Sequence, residues 1–259
     1  MRQRRRSNDE KAVSEVVGYV IMVTIVFIAI GIVFANFVPA ADDAEVAEHT
    51  KNTERVFSVL QANIYEVVEN EVPSRGAEMR LKGGELSTAR DISRTNVTIE
   101  GGGNEIERST GTRHVTYETD AGTISYENGA VFRQAPDGTS VMIEEPRWRI
   151  KDEGSIILPM VSLGGSDTLG GDRVALIETT RNERVEQFRL DSTNATDARS
   201  VELEITSPNA DGWNTYFDGL DAAEVVSFDD DENEIVVTLN GIDDQTLIYT
   251  QNVLRVRIT

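Results

Sequence analysis

An uninterrupted run of residues without a charged side chain, 16–38, constrains this chain more than any other feature. As an α-helix with a rise of about 1.5 Å per residue, the run is roughly 35 Å long, enough to cross a hydrocarbon core of about 30 Å. A cleavable secretory signal usually has an apolar core of only about 7–15 residues. The run therefore predicts a transmembrane helix, in preference to a secretory signal or a helix buried in a globular core.

The charges on either side of this run predict its orientation. Four arginines within residues 2–6 and Lys11 precede it, whereas Asp42, Asp43 and Glu45 follow it. Basic residues stay on the cytoplasmic side, so the N-terminus is expected inside and the rest of the chain outside. No later apolar stretch approaches 18 residues. We therefore expect a single-pass protein of the cell membrane whose C-terminal domain is extracellular.

The acidic composition describes the surroundings of the outer part. The chain has 45 acidic and 25 basic residues, and its net charge is −20. An acidic, lysine-poor surface is expected of a protein that folds in concentrated salt, where screening shortens the range of self-repulsion. With 39% hydrophobic residues the chain can still build a core, which argues against a disordered acidic tail. The same charge disfavours nucleic acid as a partner.

After the apolar run, residues 39–75 are predicted to continue as a stalk helix, with Pro39 as a kink or joint. Seven apolar residues recur there at helical spacing, with glutamates and polar residues between them. Packing of this stripe against a sheet is favoured over a free coiled coil. The stripe consists of Val46, Val56, Phe57, Leu60, Ile64, Val67 and Val68.

Residues 76–259 carry the pattern of a β-rich domain. Short alternating segments are separated by turn residues, and the Ala-Gly and Asn-Gly pairs within 114–134 are strong hairpin signals. One segment, 207–220, instead predicts a short helix with Ser207 or Asn209 as its N-cap and Trp213 among its core aromatics. The expected fold class is α+β: a long N-terminal helix followed by a mainly antiparallel, sandwich-like domain, with an open barrel as the alternative arrangement of its strands.

Residues that could carry chemistry are scarce. The chain has no cysteine, and its two histidines, His49 and His114, lack the spacing of a zinc site. The acidic segment 229–234 does not match a calcium-binding loop and is expected to be a solvated turn. No motif of an enzyme is present. We therefore expect no catalytic activity, no cofactor and no metal.

Two sequons stand on the predicted outer side of the membrane. They are Asn96-Val97-Thr98 and Asn194-Ala195-Thr196. Both asparagines are candidates for N-glycosylation, and both are expected between strands.

Residues 11–38, which begin "KAVSEVVGYVIMVTIV", resemble the N-terminus of archaeal type IV pilins and pilin-like proteins, particularly those of halophilic archaea. In that family a basic leader ends in a Lys/Arg-Gly/Ala pair, and a membrane prepilin peptidase cuts after the pair. The resemblance implies that residues 1–12 are a cleaved leader and that 13–38 is the transmembrane helix. Lys11 and Ala12 then match the pair before the cut, and Val13 becomes the first residue.

The same resemblance assigns residues to assembly of the helix. Ser14 and Gly18 match the family's Ser-Pro-Val-x-Gly segment, and Glu15 stands where that segment has proline. The implied partners are membrane lipid, the prepilin peptidase, other pilins and a pilus-assembly ATPase with its membrane platform. The resemblance covers about 30 residues, and 76–259 resembles no enzyme family.

Two functions follow from these patterns. The favoured one is a pilin-like surface subunit, minor or specialised because its outer part is large, that serves adhesion or filament assembly. The alternative is a single-pass surface protein whose β domain binds a ligand or partner without polymerising. Release from cells as sheared filaments, or only by detergent, distinguishes the two.

Overall fold

The computed structural model describes residues 3–70, 72–90, 92–101, 104–150, 155–190, 198–239 and 246–259. Its first element is the 67-residue helix α1, Gln3–Glu69. Pro39 lies inside α1, so it does not end the helix as a joint between two helices would. The chain divides into two compact units, Met1–Lys51 and Asn52–Thr259, which are described separately.

In the first unit, Val16–Ala35 is the most apolar segment of α1. Its mean hydropathy is 2.9, and none of it is buried. Its one hydroxyl-bearing aliphatic side chain is satisfied within the helix, because Thr24 Oγ1 donates to Val20 O at 2.7 Å. Within the described residues, this segment is long and apolar enough to span a membrane, a property that a signal sequence near the N-terminus shares.

The second unit consists of the C-terminal part of α1, a short helix and the described strands. The elements after α1 are β1 (Ser74–Arg80), β2 (Glu85–Ser87), β3 (Ile92–Gly101), β4 (Asn104–Arg113), β5 (Val115–Thr119), β6 (Gly122–Glu127), β7 (Ala130–Gln134), β8 (Ser140–Glu144), β9 (Ser155–Gly164), β10 (Thr168–Gly170), β11 (Val174–Leu190), β12 (Ala198–Thr206), α2 (Ala210–Asp218), β13 (Ala223–Asp229), β14 (Glu234–Leu239) and β15 (Thr246–Ile258).

The described strands form three sheets, ordered β1-β11-β15-β9, β10-β2-β5-β6-β7-β8 and β13-β14-β12-β3-β4. Pairing is antiparallel except between β15 and β9, which run parallel. The predicted α+β class with a mostly antiparallel sheet domain is confirmed, and the two-layer sandwich stays a prediction. The sequence patterns do not predict β3 and β4, because most of their residues are Thr, Ser, Arg and Glu.

The C-terminal part of α1 belongs to the first of two hydrophobic cores. Phe57, Leu60 and Ile64 are completely or almost completely buried there, against residues of β1, β5, β6 and β11. The predicted stripe therefore packs on sheets, as expected. Val46, its first residue, does not take part: it lies in the first unit and is 50% exposed.

The second core is shared by α2, β7 and the sheet that contains β12. Strands β9 and β15 contribute to both cores. The first half of each strand buries one face in the second core, and the last half buries the other face in the first core. In β9, Ile156 and Leu158 enter the second core, whereas Val161 and Leu163 enter the first. Because side chains alternate across a strand, the buried face changes between Met160 and Val161. This double burial explains the nearly continuous apolar run in β9.

The Asn-Gly hairpin between β6 and β7 is present as predicted. Asn128 and Gly129 have φ values of 44° and 94°, which a two-residue turn of this kind requires at both positions. A Cβ on Gly129 would lie 2.5 Å from the Tyr65 hydroxyl, so the turn also needs glycine for close packing against α1. The Asn128 side chain accepts a hydrogen bond from the Val161 N–H at 2.9 Å, which joins the turn to β9.

Candidate functional site

The residues predicted for cleavage and assembly all lie on α1. The backbone of Lys11, Ala12, Val13, Ser14 and Glu15 is helical, and their side chains lie outside the described part of the structure. The assignment of a cleavage site to them stays a prediction.

Gly18 is the one assembly residue with described surroundings. A Cβ added there would meet nothing within 4 Å, so this glycine is not required for packing within one chain. A role for its small size therefore has to come from contacts outside the chain.

The two sequons differ in what the structure describes. Asn96 lies in the middle of β3, between β12 and β4, and not between strands as expected. It is half-buried, and its Nδ2 donates to Glu204 Oε1 at 3.2 Å. A glycan on that nitrogen would compete with this hydrogen bond. Asn194 lies outside the described residues.

A buried carboxylate is the most distinctive polar feature of the domain. Glu127, the last residue of β6, is 0% exposed. Its carboxylate accepts three hydrogen bonds: from Ser207 Oγ at 2.6 Å, from Asn209 Nδ2 at 2.9 Å and from Trp213 Nε1 at 3.1 Å. Several donors converging on one carboxylate offset the cost of removing its charge from water. The start of α2 is thereby tied to the end of β6.

This arrangement confirms one of the two predicted N-cap positions of α2 but not a capping hydrogen bond from the side chain. Asn209 occupies the N-cap position, but its side chain makes no capping hydrogen bond. The amide instead donates to Glu127 and to Ser125 Oγ, the latter at 3.2 Å. Ser207 organises the turn before the helix, because its hydroxyl accepts from the Asn209 N–H at 3.0 Å. The side chains of Ser207 and Asn209, which a local pattern assigns to capping, instead donate hydrogen bonds to residues of β6.

Next to this carboxylate lies His114, between β4 and β5. The imidazole is 1% exposed, and its Nε2 is 3.5 Å from Glu127 Oε2. Within the described residues, neither ring nitrogen has a hydrogen-bond partner. Buried polar atoms without a partner are uncommon in native proteins and often mark a functional position. Sequence spacing could not single out His114, because its neighbours come from distant segments.

A second polar junction joins α1 to the hairpin and to the segment after β8. The Tyr65 hydroxyl accepts from the Arg147 N–H at 2.6 Å and donates to Gly129 O at 3.3 Å. Gln61 Nε2 donates to Gly129 O and to Glu145 O, at 2.8 and 2.9 Å. Burial raises the pKa of Tyr65 to about 12, because the phenolate would lose hydration there. These contacts fix the helix on the domain.

The acidic segment 229–234 forms the predicted turn, between β13 and β14. Asp229 Oδ1 accepts from the N–H groups of Asp231 and Glu232, at 3.0 and 3.1 Å. The pKa of Glu234 is raised, first by loss of hydration and then by repulsion from Glu204, Glu232 and Asp229. Within the described residues, no group of three or more His, Asp or Glu side chains is placed to hold a metal ion.

Comparison with known proteins gives a family but no function. An uncharacterized protein of Archaeoglobus fulgidus is 35% identical over 77 residues, which cover 30% of this chain and 25% of that protein. The chain thus spans about a quarter of the length of this curated relative. No solved structure matches significantly. A family model described as a family of unknown function, DUF7289, matches residues 11–257. Since that match covers nearly the whole chain, the protein belongs to the DUF7289 family.

Proposed function

We propose that this protein is a pilin-like subunit of the cell surface, anchored in the membrane by Val16–Ala35 and processed after Ala12. The observation that carries the proposal is the position of this exposed apolar segment, which begins four residues after Ala12 of the Lys11-Ala12 pair. A helix that is apolar on all sides and buried on none has no water-soluble face, so a lipid or a neighbouring apolar helix has to cover it.

The extent of the family match supports this interpretation. The shared region begins at residue 11 and includes the whole apolar segment, whereas most of the basic leader lies before it. A leader that is removed and then plays no part in the mature protein would give this pattern. The matched protein of Archaeoglobus fulgidus comes from an archaeon, as do the pilins that the N-terminus resembles.

The C-terminal part of α1 is an integral part of the outer domain. Its residues Phe57 and Ile64 are fully buried in the first core. The outer domain then serves adhesion or filament assembly, with the acidic surface adapted to concentrated salt. Its partners are the prepilin peptidase, other pilins and an assembly ATPase with its platform.

The test is the N-terminus of the protein extracted from membranes. Peptide sequencing should find Val13 as the first residue of wild type and an intact leader after Lys11→Glu with Ala12→Glu. The matched control is Arg4→Glu with Asn8→Glu, which changes the net charge by the same −2 and −1 but leaves the pair intact. The control should be processed like wild type. An uncut wild-type leader would contradict the proposal.

Glu15→Gln separates processing from assembly. A peptidase that reads the preceding pair should still cut this variant, whereas a carboxylate that pairs with the ammonium group of a neighbouring subunit is lost. We therefore expect normal cleavage and fewer filaments in the sheared fraction. If cleaved wild-type protein leaves the cell only with detergent, the alternative holds: a surface protein that does not polymerise.

A further inference from the structure

A polar cavity of about 200 Å³ adjoins the buried carboxylate cluster. Thr116 and Ser125 line it from β5 and β6, His114 from the position before β5, and Asn209 from the start of α2. Thr116 and Ser125 are directly opposite each other on β5 and β6, so they present one polar face. Of the lining residues, only Pro208 has an apolar side chain. A polar cavity that opens to solvent beside Arg90 and Glu118 calls for a polar occupant.

The hydrogen-bonding capacity of the wall is mixed. Ser125 Oγ accepts from Asn209 Nδ2, so its own O–H remains available to donate. Both hydrogens of that amide are used, on Ser125 and Glu127, so Asn209 can offer a ligand its carbonyl oxygen. The two ring nitrogens of His114 have no hydrogen-bond partner within the described residues, and an imidazole nitrogen can donate or accept. A hydroxyl group, which both donates and accepts, matches each of these positions.

The charges at the rim argue against an anion. Arg90 lines the cavity, but its guanidinium contacts the carboxylate of Glu118 and lies 3.4 Å from Glu85 Oε1. A cation already held by two carboxylates has little attraction left for a phosphate or a sulfate. The net charge of −20 opposes anions further. The expected ligand is therefore neutral and rich in hydroxyl groups.

The size and the neighbourhood of the cavity define the ligand further. Its volume lies below the range of about 300–1,000 Å³ that is usual for drug-sized ligands, so one sugar ring is a suitable occupant. A second cavity, of about 450 Å³, shares Arg90 and Glu118 with the first. An extended ligand could therefore continue past this ion pair. We propose that the cavity beside His114 binds the terminal unit of a neutral glycan.

The experiment is a titration of the full-length chain in detergent with neutral hexoses, pentoses and N-acetylhexosamines and their disaccharides. Glucuronate and inorganic phosphate are the anionic comparisons. The chain has only two histidines, so the two imidazoles of an untagged sample can be followed by NMR. A neutral sugar should shift the His114 signal and leave that of His49 unchanged. A disaccharide should bind more tightly than its terminal monosaccharide.

Ser125→Ala removes one donor from the wall and should weaken binding about tenfold, the typical effect of one hydrogen bond. Ser93→Ala is the matched control, because Ser93 is an equally buried serine of a strand outside the cavity. Thr123 is half-buried and lines the cavity, so the larger side chain of Thr123→Met should fill the cavity and abolish binding. The thermal midpoint of unfolding then shows that the variant is folded.

Four results would overturn the proposal or a part of it. The first is the absence of a His114 shift with every neutral sugar in the panel. The second is a shift with glucuronate or phosphate alone. The third is equal loss of binding in Ser125→Ala and Ser93→Ala. Binding of monosaccharides with exclusion of every disaccharide would overturn the assignment to a glycan end.

Discussion

Two segments of α1 are both helical but differ in the exposure of their apolar side chains. Phe27, in Val16–Ala35, is 69% exposed, whereas Phe57, thirty residues later, is 0% exposed. The first segment is apolar on every side, and the second is apolar on one side only. An amphipathic helix needs only a sheet to pack on, but a helix without a polar face needs a surrounding that is not water. The period of the apolar residues, more than their number, distinguishes the two cases.

The largest effect is expected from removing a ring on the buried side of this comparison. Phe57→Ala should reduce the free energy of unfolding of the domain by about 3–5 kcal/mol, because it leaves a cavity in the first core. Phe27→Ala, the matched change in the exposed segment, should alter it by no more than about 0.5 kcal/mol. Denaturant unfolding in detergent can be followed through Trp148 and Trp213, both of the second unit. Equal effects would refute the distinction.

A smaller effect is expected where the buried side of α1 is polar. Tyr65→Phe should cost about 1–3 kcal/mol, because Gly129 O loses its donor in a buried hydrogen bond and the Arg147 N–H loses its acceptor in a partly buried one. In wild type, an unfolded tyrosine ionises near pH 10, whereas burial holds the pKa of Tyr65 at about 12. Between these values the unfolded state releases the proton and the native state keeps it, so stability falls as the pH rises.

Tyr65→Phe has no hydroxyl to ionise at this position, so its free energy of unfolding does not show this part of the fall at alkaline pH. The advantage of wild type over Tyr65→Phe should therefore shrink between pH 10 and 12, by up to about 1.4 kcal/mol per pH unit. Burial also raises the pKa of Tyr117, Tyr126 and Tyr216, and both proteins share this loss of hydration. A smaller repulsion from ionised Tyr65 adds to the pKa of Tyr126 and Tyr216 in wild type alone. Chemical denaturation at pH 8, 10 and 11.5 measures the difference, and a constant gap across this range would show that Tyr65 does not titrate as proposed.

The smallest effect on the free energy of unfolding is expected at the acidic turn, 229–234. This turn is rich in charged side chains, whereas Val16–Ala35 has none. Glu234→Gln removes repulsion from Glu204, Glu232 and Asp229. Because the pKa of Glu234 is raised, its ionised form disfavours folding at neutral pH, and the variant should be more stable by a few tenths of a kcal/mol. Molar KCl should reduce this gain by screening. Glu224→Gln, on the neighbouring strand β13, is the control, and a gain unaffected by salt would point away from repulsion.

The sequence could predict those features that depend on near neighbours. The stripe at Phe57, Leu60 and Ile64 follows from helical spacing, and the hairpin at Asn128 follows from the need for positive φ. The helix expected within 207–220 is present as α2. In each case the pattern that predicts the helix or turn lies in the same short segment that forms it.

The features that could not be predicted depend on partners far along the chain. Ser207, Asn209 and Trp213 reach Glu127 across 80 or more residues, and no local pattern marks that carboxylate as buried. A glutamate before an Asn-Gly turn would ordinarily face water. The parallel pairing of β9 with β15 has the same origin, because it joins segments about 90 residues apart.

The place of β15 in its sheet also has a consequence for how the two cores depend on each other. This strand lies between β11 and β9, and it supplies Leu247 and Tyr249 to one core and Val256 and Ile258 to the other. It follows in the chain every element that it pairs with or packs against. Both cores therefore depend on one strand, and neither is complete without it. Loss of β15 would open both cores at once and would uncover the edges of β9 and β11 with which it pairs.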